Sequence, residues 1–179
     1  MLDLSSMIQT APPPAIPAWS LDRILTLSAD AALIIGLLLN AWQLRLMRVQ
    51  LRDTNNATKM NRTLDFCHRG NDLEFTLYRR EVYEFLYTNP ELHNLVGKID
   101  GDGNFKAALR FVINFYEEVG IAYNRGEIDR TVIRDFYSGQ IEFLYKHTSP
   151  YIQNQRATHG DGLWNQFTTM RDDIRNNPA

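Results

Sequence analysis

The chain has 179 residues, with 19 Lys and Arg against 21 Asp and Glu, a net charge of −2, a pI near 6.1 and a mean hydropathy of −0.34. That balance excludes a polytopic membrane protein and gives no basic surface of the kind that attracts nucleic acid. A single cysteine, Cys67, excludes an intramolecular disulfide framework and a thiolate metal cluster.

Residues 1–20 contain Ala11-Pro12-Pro13-Pro14-Ala15-Ile16-Pro17, a run that favours extended polyproline conformation. A flexible leader is expected, ending where Ser20 caps a helix. The stretch from Ile24 to Leu44, ILTLSADAALIIGLLLNAWQL, then carries one charge, Asp30, between Arg23 and Arg45. Its length matches the ~20 apolar residues that cross a bilayer as a helix. A transmembrane helix is expected over residues 21–47. A cleaved signal peptide fits poorly: the apolar core is too long, no basic residue precedes Arg23, and Asn40-Ala41-Trp42-Gln43 is a poor cleavage site.

Arg45, Arg48, Arg52, Lys59 and Arg62 follow the span, opposed only by Asp53. An excess of Lys and Arg marks a cytoplasmic flank, so the N-terminus is expected outside and the remaining domain in the cytoplasm, on an inner (plasma) membrane. Arg45, Arg48 and Arg52 are candidate contacts for lipid headgroups. Trp19 and Trp42 lie where indole rings favour the interface. Within the span, Asp30 and Asn40 either both reach toward headgroups or water, or Asp30 faces a partner helix. Ser28, Ala32 and Gly36 fall on one face at i, i+4 and i+8, which suits a homo-oligomer through the span.

A juxtamembrane helix over residues 48–70 continues the pattern, with a broken stripe of Leu44, Met47, Leu51, Met60, Leu64 and Cys67. Asp53-Thr54-Asn55-Asn56 is weak helix material and is a possible break. The cytoplasmic helical domain is expected over residues 71–175. Its first helix, Asn71 to Thr88, turns Phe75, Tyr78, Val82, Phe85 and Leu86 inward and stops at Asn89-Pro90. A short helix over Glu91 to Val96 follows. Asp100-Gly101-Asp102-Gly103-Asn104 resembles a calcium loop only superficially: Phe105 and Phe111 stand where Gly and Glu are required. A flexible turn is expected.

The helix from Asn104 to Arg125 is the expected core element. Phe105, Ala108, Leu109, Val112, Phe115, Tyr116, Val119 and Tyr123 make one broad stripe, and Gly126 is a natural stop. A helix opened by Ile128 or Asp129 runs to about Lys146 with Ile133, Phe136, Tyr137, Ile141 and Leu144 inward. Ser149-Pro150 marks a new start. Gly160-Asp161-Gly162 interrupts that last helix before Leu163, Trp164, Phe167 and Met170. No alternating strand pattern occurs, so the fold class is all-α: one N-terminal transmembrane helix, then a cytoplasmic bundle of about five helices.

Asn114-Phe115-Tyr116-Glu117-Glu118-Val119-Gly120-Ile121, followed by Arg125-Gly126-Glu127-Ile128-Asp129, Tyr151-Ile152, Arg156, Trp164 and Phe167, resembles an uncharacterised bacterial family catalogued only as a domain of unknown function. The resemblance covers roughly residues 25–170, most strongly 105–170. It implies short helical domains behind one N-terminal membrane helix, and it transfers no catalytic residue.

Glu117 lies on a helix expected to be buried and requires a partner. Arg156 is the candidate, either as a structural ion pair or, with Glu118, as a polar site. His68, His93, His147 and His159 form no metal-ligand spacing. No catalytic residue, metal or cofactor is expected, nor an enzymatic activity. The expected partners are the lipid bilayer, further copies of the chain and an unidentified protein, with no nucleic acid. The function expected is a protein-interaction or scaffolding module. The competing expectation is a membrane effector, for instance in phage defence, whose oligomerised span perturbs the bilayer.

Overall fold

In the computed structural model, which describes residues 19–89 and 95–177, every regular element is a helix and no strand occurs among the described residues. The all-α expectation holds. The proline-rich leader before Trp19, Pro90, residues 91–94 of the expected short helix with His93, and the last two residues lie outside the described residues. The chain divides into two units, Met1–Arg52 and Asp53–Ala179.

The first unit holds the N-terminal part of helix α1, Trp19–Arg69. Leu25, Leu33, Ile34, Leu37, Leu38 and Trp42 each expose 59–69% of their surface. At 100° per residue these positions surround the axis, so the helix is apolar on all sides. None of its most apolar window is buried. The helix continues through Asp53-Thr54-Asn55-Asn56 without the expected break, and Thr58 Oγ1 donates to the Thr54 carbonyl at 2.9 Å. Weak propensity costs only a few tenths of a kcal/mol per residue, too little to interrupt a long helix.

In the second unit the end of α1 docks through Thr63, Phe66 and Cys67, all buried, while Met60 and Leu64 stay exposed. The stripe expected from spacing is thus corrected: the docking face is turned away from Met60 and Leu64. Polar ties from the core also hold it. The Tyr137 hydroxyl donates to the Phe66 carbonyl at 2.9 Å, and the Asp129 N–H donates to Thr63 Oγ1 at 2.8 Å. Helix α2, Leu73–Thr88, buries Phe75, Val82 and Leu86, as its spacing predicts. Helix α3, Leu95–Gly101, passes almost directly into α4, Gly103–Asn124. The flexible turn expected at Asp100–Asn104 is instead a cap: Asp102 accepts from the N–H groups of Asn104 and Phe105 at 3.1 and 3.0 Å, and Asp100 pairs with Lys106 at 2.6 Å.

Helix α4 lies at the centre and packs against α2, α3, α5 and α6. Its whole expected stripe, from Phe105 to Tyr123, is buried. Gly126, at φ +68°, ends it as expected. Helix α5, Arg130–His159, starts at the Asp129 cap and runs straight through Pro150, where a new helix was expected. A proline inside a helix costs about 3 kcal/mol. Leu144, Thr148, Tyr151, Ile152 and Gln155, all buried on either side of it, offset that cost. Gly160, at φ +104°, ends α5, and α6, Asn165–Asn176, buries Phe167, Met170 and Ile174.

The axis of α4 and the start of α6 approach closely at Gly120. A Cβ there would meet the Gln166 carbonyl carbon and oxygen at 2.7 and 2.6 Å. Gly120→Ala is expected to lower unfolding stability by about 1–3 kcal/mol in a urea titration. Gly139→Ala, on the exposed side of α5 with nothing within 4 Å, is expected to raise it by about 0.5–1 kcal/mol.

Candidate functional site

Helix α6 begins at Trp164, which has left-handed backbone geometry (φ 53°, ψ 34°) and no side chain able to cap the turn that follows. The first N–H groups of a helix need acceptors. Glu117 of α4 supplies them from across the interface, accepting from Gln166 N–H at 3.2 Å and Phe167 N–H at 2.6 Å. The carboxylate therefore does the work of an N-cap and meets the positive end of the helix dipole.

Arg156 approaches the same turn from α5. Its guanidinium donates to the carbonyls of Leu163 and Trp164 at 2.8 and 3.1 Å and to Thr168 Oγ1 at 2.8 Å. The expected Glu117–Arg156 ion pair is thereby corrected: each residue binds the 163–168 segment, one taking its N–H groups and the other its carbonyls. Asn114 accepts from the Trp164 indole at 2.8 Å, and Asn124 Nδ2 donates to the Gln166 carbonyl at 3.1 Å. Asn114, Glu117, Gly120 and Asn124 form one α4 face that grips α6. Sequence reasoning found Glu117 but missed Asn114, Gly120 and Asn124, although their spacing of three to four residues was visible. Much of the pattern that carries the family resemblance lies in this clasp.

Glu118, next on α4, points elsewhere. It pairs with Arg69 at 2.8 Å beside an open groove of about 670 Å³ lined by Arg62, Phe66, His68, Arg69 and Ile121. Arg69 also lies over the Phe66 and Phe115 rings, at 5.6 and 5.7 Å from their centroids. Arg62 pairs with Glu127. The groove has an apolar floor and a rim of mixed charge. Arg45, Arg48 and Arg52, on the first unit, are exposed and form no ion pair among the described residues.

His68 is exposed on the groove, His147 Nδ1 lies 2.8 Å from the Phe143 carbonyl, and His159 ends α5 exposed. No group of three metal-ligating side chains occurs among the described residues. Burial raises the Cys67 thiol pKa. It also pushes Tyr83 up to about 12 and raises Tyr116 and Tyr137, so these hydroxyls remain neutral donors.

Glu117→Ala is expected to destabilise the domain by about 1–3 kcal/mol, because two N–H groups lose their acceptor, and Glu117→Gln by less. A urea titration of each variant measures this. Helix α6 is also held to α5 by a two-pronged Arg171–Glu142 contact at 2.7 and 2.8 Å, which lowers the Glu142 pKa. That contribution is present above the ordinary glutamate pKa of about 4.3 and is lost as the pH falls through the lower folded value. Glu142→Gln is expected to flatten the stability profile below about pH 4.5 and leave its shape at neutral pH unchanged.

No curated protein and no solved structure gave a significant match. A family model described as "Domain of unknown function (DUF4760)" matches residues 27–173, a region that takes in most of the apolar stretch as well as the helical domain. The chain belongs to this family.

Proposed function

We propose that the apolar part of α1 spans a bilayer once and that the helical domain is a protein-interaction or scaffolding module held at its cytoplasmic face. The observation that carries this reading is the uncovered apolar helix. About a dozen large side chains between Leu25 and Met47 are exposed. At roughly 1 kcal/mol for each half-exposed side chain, leaving them in water costs on the order of 10 kcal/mol. That equals the stability of a whole domain, and hydrocarbon removes the cost. Arg45, Arg48 and Arg52 on the following turns support the orientation with the C-terminal domain inside. The open groove beside Arg69, apolar below and charged at its rim, supports an interaction role, and this reading assigns the protein no reaction.

A second reading has one specific observation in its favour. Ser28, Ala32, Gly36 and Asn40 recur every four residues, and Ala32, Leu33, Gly36, Leu37 and Asn40 line a shallow groove on the helix surface. Together with Asp30, which costs a few kcal/mol in hydrocarbon unless paired, this suits an oligomerised span that perturbs the bilayer.

The full chain is expected to stay with membranes after carbonate washing and to dissolve only in detergent. In sealed vesicles with the cytoplasmic face outward, added protease is expected to digest the helical domain. Release by carbonate, or protection of the domain, would contradict the reading. Expression of the wild type is expected to leave the membrane potential unchanged. Depolarisation by the wild type that Asp30→Leu abolishes would favour the second reading.

A further inference from the structure

Helices α2 and α5 border an open pocket of about 390 Å³ lined by Thr76, Arg79, Arg80, Tyr83, Glu84, Tyr87 and Gln140. Arg79 is half-buried. One of its five N–H donors reaches Gln140 Oε1 at 3.0 Å, and the same oxygen accepts from the buried Tyr116 hydroxyl at 2.8 Å. Gln140 is thereby fixed by two donors and in turn fixes the guanidinium. No carboxylate among the described residues lies within ion-pair distance of Arg79.

A partly desolvated guanidinium without an anion is costly. Two other half-buried arginines meet that cost with several oxygens each. Arg171 takes both oxygens of Glu142 at 2.7 and 2.8 Å, and Arg156 takes three oxygens of the α6 turn. Arg134 has an Asp173 oxygen at 4.0 Å and the Tyr123 hydroxyl at 3.5 Å, and Arg110, bonded to Gln155 Oε1 at 2.9 Å, resembles Arg79; both lie outside this pocket.

The wall beside Arg79 is aromatic. Tyr83 and Tyr87 both lean on Phe143, with ring centroids 4.9 and 4.7 Å from it. Arg80 is already paired with Glu84 at 2.7 Å, so the pocket holds one uncompensated positive charge. One charge suits a monoanion, and a planar guanidinium suits two oxygens presented side by side.

We propose that this pocket binds a small carboxylate carried on a flat ring, the carboxylate forked onto Arg79 and the ring lying against Tyr83 and Tyr87. Benzoate is the probe, titrated into the detergent-solubilised full chain and followed by amide chemical shifts. Saturable binding is expected, weakened about tenfold or more when neutral benzamide replaces benzoate and in the Arg79→Gln variant. Gln140→Glu places a carboxylate beside Arg79 while keeping an acceptor for Tyr116. It is expected to weaken benzoate at least as much without lowering the melting temperature, which separates loss of the site from loss of the fold. Arg110→Gln is expected to leave the affinity unchanged. Absence of saturation, equal binding of benzamide, or an Arg79→Gln variant with wild-type affinity would overturn the proposal. Inorganic phosphate binding more tightly than benzoate would overturn the assignment of a ring-borne carboxylate.

Discussion

An apolar surface left uncovered among the described residues is the constraint on which everything else rests. Leu25, Leu33, Ile34 and Trp42 face different directions around α1, and each is more than half exposed. An amphipathic helix would hide one side and solvate the other. This helix has no side suited to water, so neither folding back on one neighbour nor lying flat on a surface satisfies it. Hydrocarbon does, and the arginines that follow at Arg45, Arg48 and Arg52 agree with an end at the headgroups.

The helical domain poses the opposite problem: how several short helices fix one arrangement. Its answer is a central helix buried on most sides and tied at its ends by polar contacts. Glu117 and Arg156 divide the backbone groups of a single turn between them. A turn whose own capping residue is tryptophan would otherwise leave N–H groups unmet at a buried junction. The same helix carries Gly120, whose missing side chain lets the two backbones approach. Capping, shape and the tyrosine hydroxyls that reach α1 and α5 act on one interface network. The domain is therefore specified by satisfied polar groups as well as by its aromatic core.

Much of this was legible in the residues. The α4 stripe was, because eight apolar positions at helical spacing leave no other period open, and every one is buried. The stop at Gly126 and the start at Asp129 were, because each has a local chemical cause. Four features were not. Pro150 signals a helix start locally, and only the buried residues flanking it override that signal. Asp100 to Asn104 has a turn composition, yet Asp102 serves as a cap once the two helices abut. Glu117 announced that it needed a partner but not which, since backbone N–H groups leave no mark in a sequence. Arg79 gave still less warning: its lack of an acidic neighbour depends on how α2 and α5 meet.

The central claim is that lipid surrounds the middle of the apolar helix. Spin labels on single cysteines at Leu33, Leu38 and Arg48, in a Cys67→Ser background and reconstituted bilayers, test it most directly. At residues 33 and 38 the account predicts strong collision broadening by oxygen and almost none by a water-soluble nickel chelate, with that preference reversed at 48. Equal access for the nickel reagent at all three positions, or shielding of 33 and 38 from both reagents, would contradict it.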